Sequence, residues 1–292
     1  MLELCRILDM AQPALSHHLK LLADAGLLAR RRDGNAVFYR RALLDPADPL
    51  ADYMAVLFET LDRLSLPMAL AAGKAAVYQA RAERSRKFFA GHAAAFQRQQ
   101  ALVSPPDAYL PALADMLAVL PGTKHQILDL GTGNGDALGL LATHFDAVLG
   151  LDTSAAMLKA ARQRLAASDV APRVRLVQGE LRDQTPQSFD AVLLSMVLHH
   201  AADPRQMLGE AARALKPSGW LLIVELCPHD QAWTRTACGD VWLGFEPAQL
   251  DHWVGAAGLM PGPEQYLAQR NGFRVQIKTY QRTTANNEGA LA

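Results

Sequence analysis

The sequence predicts an α/β protein whose larger part is a parallel sheet with helices on both faces. Three observations lead to this prediction. From residue 127 onward, short apolar runs typical of buried strands alternate with stretches of helical periodicity. The first of these runs enters a glycine-rich turn, as strands do where they present backbone to a ligand. Near the N-terminus, two short helical stretches precede a basic hairpin pattern, which predicts a smaller separate unit.

Composition limits the possible classes of protein. The 292 residues allow two domains, half of the residues are apolar, and the net charge of zero gives no general argument for a nucleic-acid partner. Three scattered cysteines form neither a disulfide framework nor a paired metal motif. No metal site is therefore expected, and the expected location is the reducing cytoplasm. No apolar run approaches the roughly 18–20 residues of a membrane span, and the first residues lack a signal-peptide pattern, so no membrane partner is expected.

The glycine-rich turn lies within Ile127–Asp136, ILDLGTGNGD. Its three glycines can take positive φ and approach a ligand closely. Their spacing departs from the G-x-G-x-x-G pattern of dinucleotide-binding proteins, because Asp136 stands at the third glycine position. An acid two residues before G-x-G-x-G, here Asp129, resembles motif I of the class I S-adenosylmethionine (SAM) methyltransferases. Taken alone, the stretch also fits a glycine-rich turn in an unrelated α/β protein.

Three further motifs follow in this family's order, each at a predicted strand end. Asp152 ends the second strand, 23 residues after Asp129, where a carboxylate can accept hydrogen bonds from both hydroxyls of an adenosine ribose. By the resemblance, Glu180 after the third strand accepts from the adenine amino group. The same resemblance implies that Ser195, after the fourth strand, lies near the methionine end of SAM. Met157, one turn into a helix, either packs on adenine or belongs to the helix core.

The resemblance covers residues 122–282 and implies a Rossmann-like, seven-stranded class I methyltransferase domain. It implies SAM or S-adenosylhomocysteine as the cofactor. The Asn271-Gly272 pair predicts a hairpin between two closing strands. Three aromatic residues before this hairpin, Trp233, Trp242 and Phe245, either roof an acceptor pocket or are ordinary core. The implied cofactor-binding residues are Asp129, Gly131, Thr132, Gly133, Gly135, Asp152, Thr153, Met157, Glu180, Leu181 and Ser195.

The N-terminal pattern predicts a winged helix-turn-helix. Leu2–Leu8 reads as a short helix, and a second helix follows with Pro13 near its start and Leu15, Leu19 and Leu22 on a core face. Gly26 closes this region. A hairpin then carries five arginines and one aspartate between residues 30 and 41, enough to neutralise DNA phosphates. A solvated basic hairpin on a protein–protein module is the alternative.

Residues 9–28 and the arginine-rich wing resemble the ArsR-type repressors, in which the second helix reads DNA and the protein is a dimer. The resemblance implies a double-stranded DNA operator and a homodimer as partners. In that family further helical residues precede Glu3, so the unit is expected to be partial. Metal sensing is not expected, because Cys5 has no cysteine partner in the first helix. The implied DNA-binding residues are Gln12, Ser16, His17, Lys20, Arg31 and Arg32.

These patterns predict four segments. They are a partial winged helix-turn-helix at 1–45, connector and dimerisation helices at 46–104, a SAM-binding methyltransferase domain at 105–282 and a disordered tail at 283–292.

The sequence leaves two functions open. His199 and His200, after the fourth strand, are candidate bases because imidazole titrates near neutrality, although one or both can instead shape the turn. The first function is that of a SAM-dependent methyltransferase for a small molecule, with the DNA module as its regulator. The alternative is a non-catalytic transcriptional repressor that senses SAM or S-adenosylhomocysteine.

Overall fold

A computed structural model of the chain describes residues 1–33, 36–45, 47–166 and 168–283, without the side chains of residues 32, 33, 36 and 92–97. The chain divides into two compact units, Met1–Arg81 and Ala82–Ala292. The centre of the predicted hairpin turn, Gly34 and Asn35, lies outside the described residues. So does the predicted tail from residue 284 onward.

The first unit contains the predicted helices and hairpin. Strands β1 and β2 pair antiparallel, and Gly26, with φ of 74°, lies in the turn between α2 and β1. The Arg41 guanidinium donates to both carboxylate oxygens of Asp62 at 2.8 and 3.0 Å and lies 4.5 Å from the Phe58 ring centroid. These contacts fasten the hairpin to α3. The elements are α1 (Leu2–Leu8), α2 (Gln12–Asp24), β1 (Leu28–Asp33), β2 (Ala36–Arg41), α3 (Ala51–Arg63) and the start of α4 (Met68–Val103).

The predicted core face of α2 is buried only over its first turns. Leu15 and Leu19 are buried, but Leu22 is 40% exposed, so its assignment to the core was wrong. Helix α1 has seven residues and α2 has thirteen, which correspond to lengths of about 10 and about 20 Å. The shorter helix therefore leaves the last turn of α2 uncovered within this unit.

The second unit is a seven-stranded sheet in the order β5-β4-β3-β6-β7-β9-β8. Strands β3 to β7 run parallel, and β9 is antiparallel to both of its neighbours. The strand order changes direction at β3, so a crevice is expected at the carboxyl ends of the strands there. The strands are β3 (Gln126–Leu130), β4 (Ala147–Asp152), β5 (Val174–Gln178), β6 (Phe189–Ser195), β7 (Leu215–Leu226), β8 (Leu259–Ala268) and β9 (Arg274–Arg282).

Helices cover both faces of this sheet. Alternate residues of β3 belong to different cores: Ile127 packs in one, and Leu128 and Leu130 pack in the other. Among the described helices, including the 36-residue α4, none combines the length and apolar character of a bilayer span. The remaining helices are α5 (Leu110–Val119), α6 (Leu138–His144), α7 (Ala155–Leu165), α8 (Pro204–Ala214), α9 (Thr234–Ala237) and α10 (Pro247–Ala256).

Candidate cofactor-binding site and DNA-binding hairpin

The glycine-rich turn after β3 is folded against the end of β4. Gly131, Gly133 and Gly135 have φ of 71°, 55° and 81°, a region that residues with a Cβ rarely adopt. The amides of Gly131 and Thr132 both donate to the Leu151 carbonyl oxygen, at 2.8 and 3.1 Å. The glycines that the sequence singled out are therefore required by the turn itself.

The carboxylate at the end of β4 is fixed beside this turn. Asp152 Oδ2 accepts from the Gly133 amide at 2.9 Å, and Oδ1 accepts from the Ser154 amide at 2.7 Å. The Ser154 hydroxyl caps α7 by accepting from the Met157 amide. Because a carboxylate has about four lone-pair sites, Asp152 keeps acceptor capacity for a further pair of donors, such as two ribose hydroxyls.

Three carboxylates surround the turn. Asp129 is 2% exposed and accepts from the Thr132 hydroxyl at 2.6 Å. Burial raises the pKa of Asp129 to about 7, the Thr132 hydrogen bond opposes this, and the charges of Asp152 and Asp136 add to the rise. Burial also raises the pKa of Asp136, although Arg164 lies 2.6 Å from its carboxylate. With these carboxylates ionised, the site is negatively charged and suits a cationic ligand.

Asp129→Asn is expected to remove a pH dependence from the stability of the ligand-free protein. The folded-state pKa is about 7, against 3.8 ordinarily, so within this window the folded state holds a proton that the unfolded state lacks. The free energy of unfolding therefore falls as pH rises through the window, by up to about 4 kcal/mol. Urea unfolding at about pH 5 and about pH 8 should record about 2–3 kcal/mol of this fall. Asp115→Asn changes an exposed carboxylate on α5, and its free energy of unfolding should fall with pH as much as that of wild type. An equal fall in Asp129→Asn would show that Asp129 is not the group with the raised pKa.

Ser195, at the end of β6, lies beside a tyrosine that precedes α5. Tyr109 is 4% exposed, and the Ser195 side chain lies close enough to lower its pKa against the larger effect of burial. Burial raises the pKa of Tyr109 well above its usual range, so the hydroxyl stays protonated. Beside the glycine turn, Asp136 and Arg164 line a cavity of about 250 Å³ with Asp107 among its other walls.

The residues predicted for the adenine side lie after β4 and β5. Met157 is 3% exposed and packs in the core, one of the two places predicted for it, while Thr153 is exposed. Glu180 caps the short turn Leu181–Asp183 and forms an ion pair with Arg182. The Glu180 carboxylate would therefore have to accept from an adenine amino group while it remains paired with Arg182.

His199 and His200 are both buried, at 3% and 7% exposure. Nδ1 of His199 lies 2.7 Å from Oε1 of Glu225, which is fully buried. Burial opposes the charged imidazole, but the Glu225 and Asp240 carboxylates outweigh it and raise the pKa of His199 to about 9. Burial, followed by the His199 charge, holds the pKa of His200 well below its usual value. These surroundings favour the structural alternative over the role of a base.

Three of the six residues predicted to contact DNA are exposed in the structure. On α2, Gln12, His17 and Lys20 are exposed, whereas Ser16 is half-buried with its hydroxyl 4.0 Å from the Met1 sulfur. On the hairpin, the Arg31 guanidinium lies 5.9 Å from the Phe38 ring centroid, so packing accounts for part of its role. The Arg32 side chain lies outside the described residues.

The fold and the site define the class of domain. A seven-stranded sheet with β9 antiparallel, a glycine turn after its first strand and the Asp152 carboxylate after its second are the features of a class I SAM-dependent methyltransferase domain. Residues 128–223 match the family model described as "Methyltransferase domain", and residues 2–30 match "Bacterial regulatory protein, arsR family". The resemblances to the SAM methyltransferases and to the ArsR-type repressors are confirmed, as is the fold class. The chain carries a methyltransferase domain C-terminal to an ArsR-type segment.

Individual relatives cover part of the chain. A demethylmenaquinone methyltransferase of Clavibacter sepedonicus is 37% identical over 45% of this chain and 53% of its own length. A trans-aconitate 2-methyltransferase of Deinococcus radiodurans is 35% identical over 43% and 48%. The chain thus spans about half the length of these curated relatives. A solved geranyl diphosphate C-methyltransferase of Streptomyces coelicolor shares the fold at 15% identity, with a TM-score of 0.51 over 59% of this chain and 78% of that one.

Three residues of the site were not predicted from the sequence. Tyr109 comes before the first sheet strand and carries no motif. Glu225 ends the fifth apolar run, and its place at a strand's carboxyl end was the available signal. Asp240 lies in a segment without helical or strand periodicity, so nothing in the local pattern could have brought it beside His199 and His200.

Proposed function

We propose that this protein is a SAM-dependent methyltransferase that acts on a small molecule and is coupled to a DNA-binding module. The observation that carries the proposal is the Asp152 carboxylate, held beside the glycine turn by the Gly133 and Ser154 amides with acceptor capacity to spare. An adenosine ribose satisfies that capacity. The SAM sulfur would then extend towards Ser195, where β6 ends.

The charge of the site supports SAM as the ligand. SAM carries an ammonium, a sulfonium and one carboxylate, so it is a net cation, whereas S-adenosylhomocysteine is net neutral. The carboxylates of Asp129, Asp136 and Asp152 around the turn favour the cation. Methyl transfer removes that positive charge, so the product is bound less strongly and can leave.

Turnover tests the proposal directly. The purified chain is incubated with methyl-labelled SAM and two acceptors taken from the names of its relatives, a demethylated naphthoquinol and trans-aconitate, beside a small-molecule extract. Enzymatic formation of S-adenosylhomocysteine that depends on an acceptor supports catalysis. SAM binding without product under all three conditions would count against it.

A second function, a repressor that senses the ratio of SAM to S-adenosylhomocysteine, is favoured by the burial of His199 and His200. A sensor needs no base beside the methyl group, but it does need different ligand affinities in its DNA-bound and DNA-free states. Release of DNA by one of the two ligands and not the other, measured by fluorescence anisotropy, identifies the sensor. Turnover without any effect on DNA identifies the enzyme alone.

We also propose that the first unit binds operator DNA as a homodimer, in the cytoplasm where the DNA is. Support for a dimer comes from one stripe of exposed apolar side chains on α3, spaced three or four residues apart. Sedimentation equilibrium tests the dimer. The exposed members are Tyr53, Val56, Leu57, Leu61 and, just beyond the helix, Leu64.

Arg30→Ala is expected to weaken binding to every duplex sequence about equally and to lower the salt slope of the affinity by about 1 for each phosphate that the side chain no longer neutralises. Arg30 is exposed on β1, where a wing meets phosphates. Titration of a random-sequence duplex at several salt concentrations measures both effects. Arg162→Ala on α7, also exposed, is the matched control and should change neither; a loss confined to one sequence would argue for base contact by Arg30.

A further inference from the structure

We propose that His199, His200 and Asp240 form a binding site for one divalent metal ion of the zinc class. The three residues lie in the second unit, beyond the carboxyl ends of β6 and β7. All three are buried, and one ligand atom from each lies within 4.8 Å of the others. Two imidazoles and a carboxylate are a ligand set that zinc accepts in proteins.

The distances require little movement for binding. Oδ1 of Asp240 is 3.9 Å from Nε2 of His199 and 3.7 Å from Nδ1 of His200. Around a tetrahedral zinc ion with bonds of about 2.0–2.1 Å, neighbouring ligand atoms stand about 3.4 Å apart. The two pairs that Asp240 makes with the histidines therefore have to close by about 0.3–0.5 Å each, and the two imidazole nitrogens, which lie within 4.8 Å of each other, by at most about 1.4 Å.

The surroundings hold the ligands in place. Nδ1 of His199 is engaged by the Glu225 carboxylate at 2.7 Å, which leaves Nε2 directed towards Asp240. Carboxylate–histidine pairs of this kind commonly orient metal-binding imidazoles. The amides of Val241 and Trp242 both donate to the His199 carbonyl oxygen, at 2.9 and 3.0 Å. These two bonds fix the loop that carries Asp240 to the turn that carries the histidines.

Charge also favours an ion. Neither carboxylate oxygen of Asp240 accepts a hydrogen bond within the described part of the chain, and the nearby Thr234 hydroxyl donates instead to the Gln231 carbonyl at 3.1 Å. A divalent cation bound to these oxygens would give the buried Asp240 carboxylate a partner of opposite charge, which offsets the penalty of burying it without a hydrogen bond.

Metal content tests the site. The full chain, prepared without an affinity tag, is loaded with Zn²⁺, passed through a desalting column and analysed for zinc per chain by mass spectrometry. We expect about one equivalent in wild type and less than about a tenth in Asp240→Asn. Substitution with Co²⁺ should give the intense visible bands of a four-coordinate site in wild type. His125→Gln is the matched control, because it breaks a histidine–aspartate pair at 2.9 Å that is exposed, and it should keep the wild-type zinc content.

Other outcomes overturn the proposal. Wild type that retains less than about a tenth of an equivalent of zinc and gives no four-coordinate cobalt spectrum has no such site. Equal zinc in wild type and Asp240→Asn places the ion elsewhere. Should Asp240→Asn fail to fold by circular dichroism, His200→Asn replaces it, and the wild-type cobalt spectrum decides the question without any variant.

Discussion

The Asp152→Ala variant is expected to lose SAM binding by more than about 100-fold. If the carboxylate accepts both ribose hydroxyls, its removal deletes two hydrogen bonds to a charged acceptor, each contributing about 1.5–3 kcal/mol. The same carboxylate accepts from the Gly133 and Ser154 amides, so the turn itself should also loosen. Isothermal titration calorimetry with SAM measures the first effect, and thermal unfolding measures the second.

A ligand variant separates these two effects. An analogue of S-adenosylhomocysteine that lacks both ribose hydroxyls should bind wild type more weakly than S-adenosylhomocysteine does, and any further loss of S-adenosylhomocysteine affinity in Asp152→Ala measures the loosening of the turn. The protein variant should not distinguish the two ligands. Asp146→Ala, which removes an exposed carboxylate just before β4, should bind as wild type does. If Asp152→Ala still prefers the ligand with the hydroxyls by the wild-type factor, Asp152 does not hold the ribose.

The larger unit could be predicted from the sequence because its information is local. Apolar runs ended where strands end, the glycines marked a turn with positive φ, and the Asn271-Gly272 pair lies in the connection between β8 and β9. Asp152 could be placed because a strand's last residue necessarily lies at the edge of the sheet where ligands bind. For these positions, the predicted strand or turn was enough to place the residue at the ligand-binding edge of the sheet.

The rest depended on contacts between distant segments. Leu22 continues a helical apolar stripe, yet it is exposed because the neighbouring helix is short. Tyr109 meets Ser195 and Asp240 meets His199 only because the chain folds back across the sheet. Periodicity reports which face of an element is apolar, and it does not report which other element covers that face. The sequence therefore predicted His199 and His200 as candidate bases or as residues that shape a turn, without the Asp240 carboxylate that lies beside them.

Gly131→Ala and Gly133→Ala are expected to fail in different ways, although both change the same turn. A Cβ on Gly131 would stand 2.3 Å from Cγ2 of Val197, at a φ of 71°. Strain and overpacking together should lower the free energy of unfolding by about 2–5 kcal/mol. A Cβ on Gly133 meets only the Gly131 carbonyl oxygen, at 3.9 Å, so about 1–2 kcal/mol of backbone strain is the whole structural effect.

For SAM affinity, measured on molecules that remain folded, we expect Gly133→Ala to be the more affected of the two variants. The open space beside Gly133 adjoins the Asp152 carboxylate, and the added methyl group would occupy volume that the adenosine needs there. Gly133→Ala should therefore keep most of its thermal stability while its SAM affinity falls by more than about tenfold. Gly133→Ala that binds SAM as tightly as wild type would mean that the cofactor does not lie against this turn, because the added methyl group would then project into space that the adenosine leaves empty.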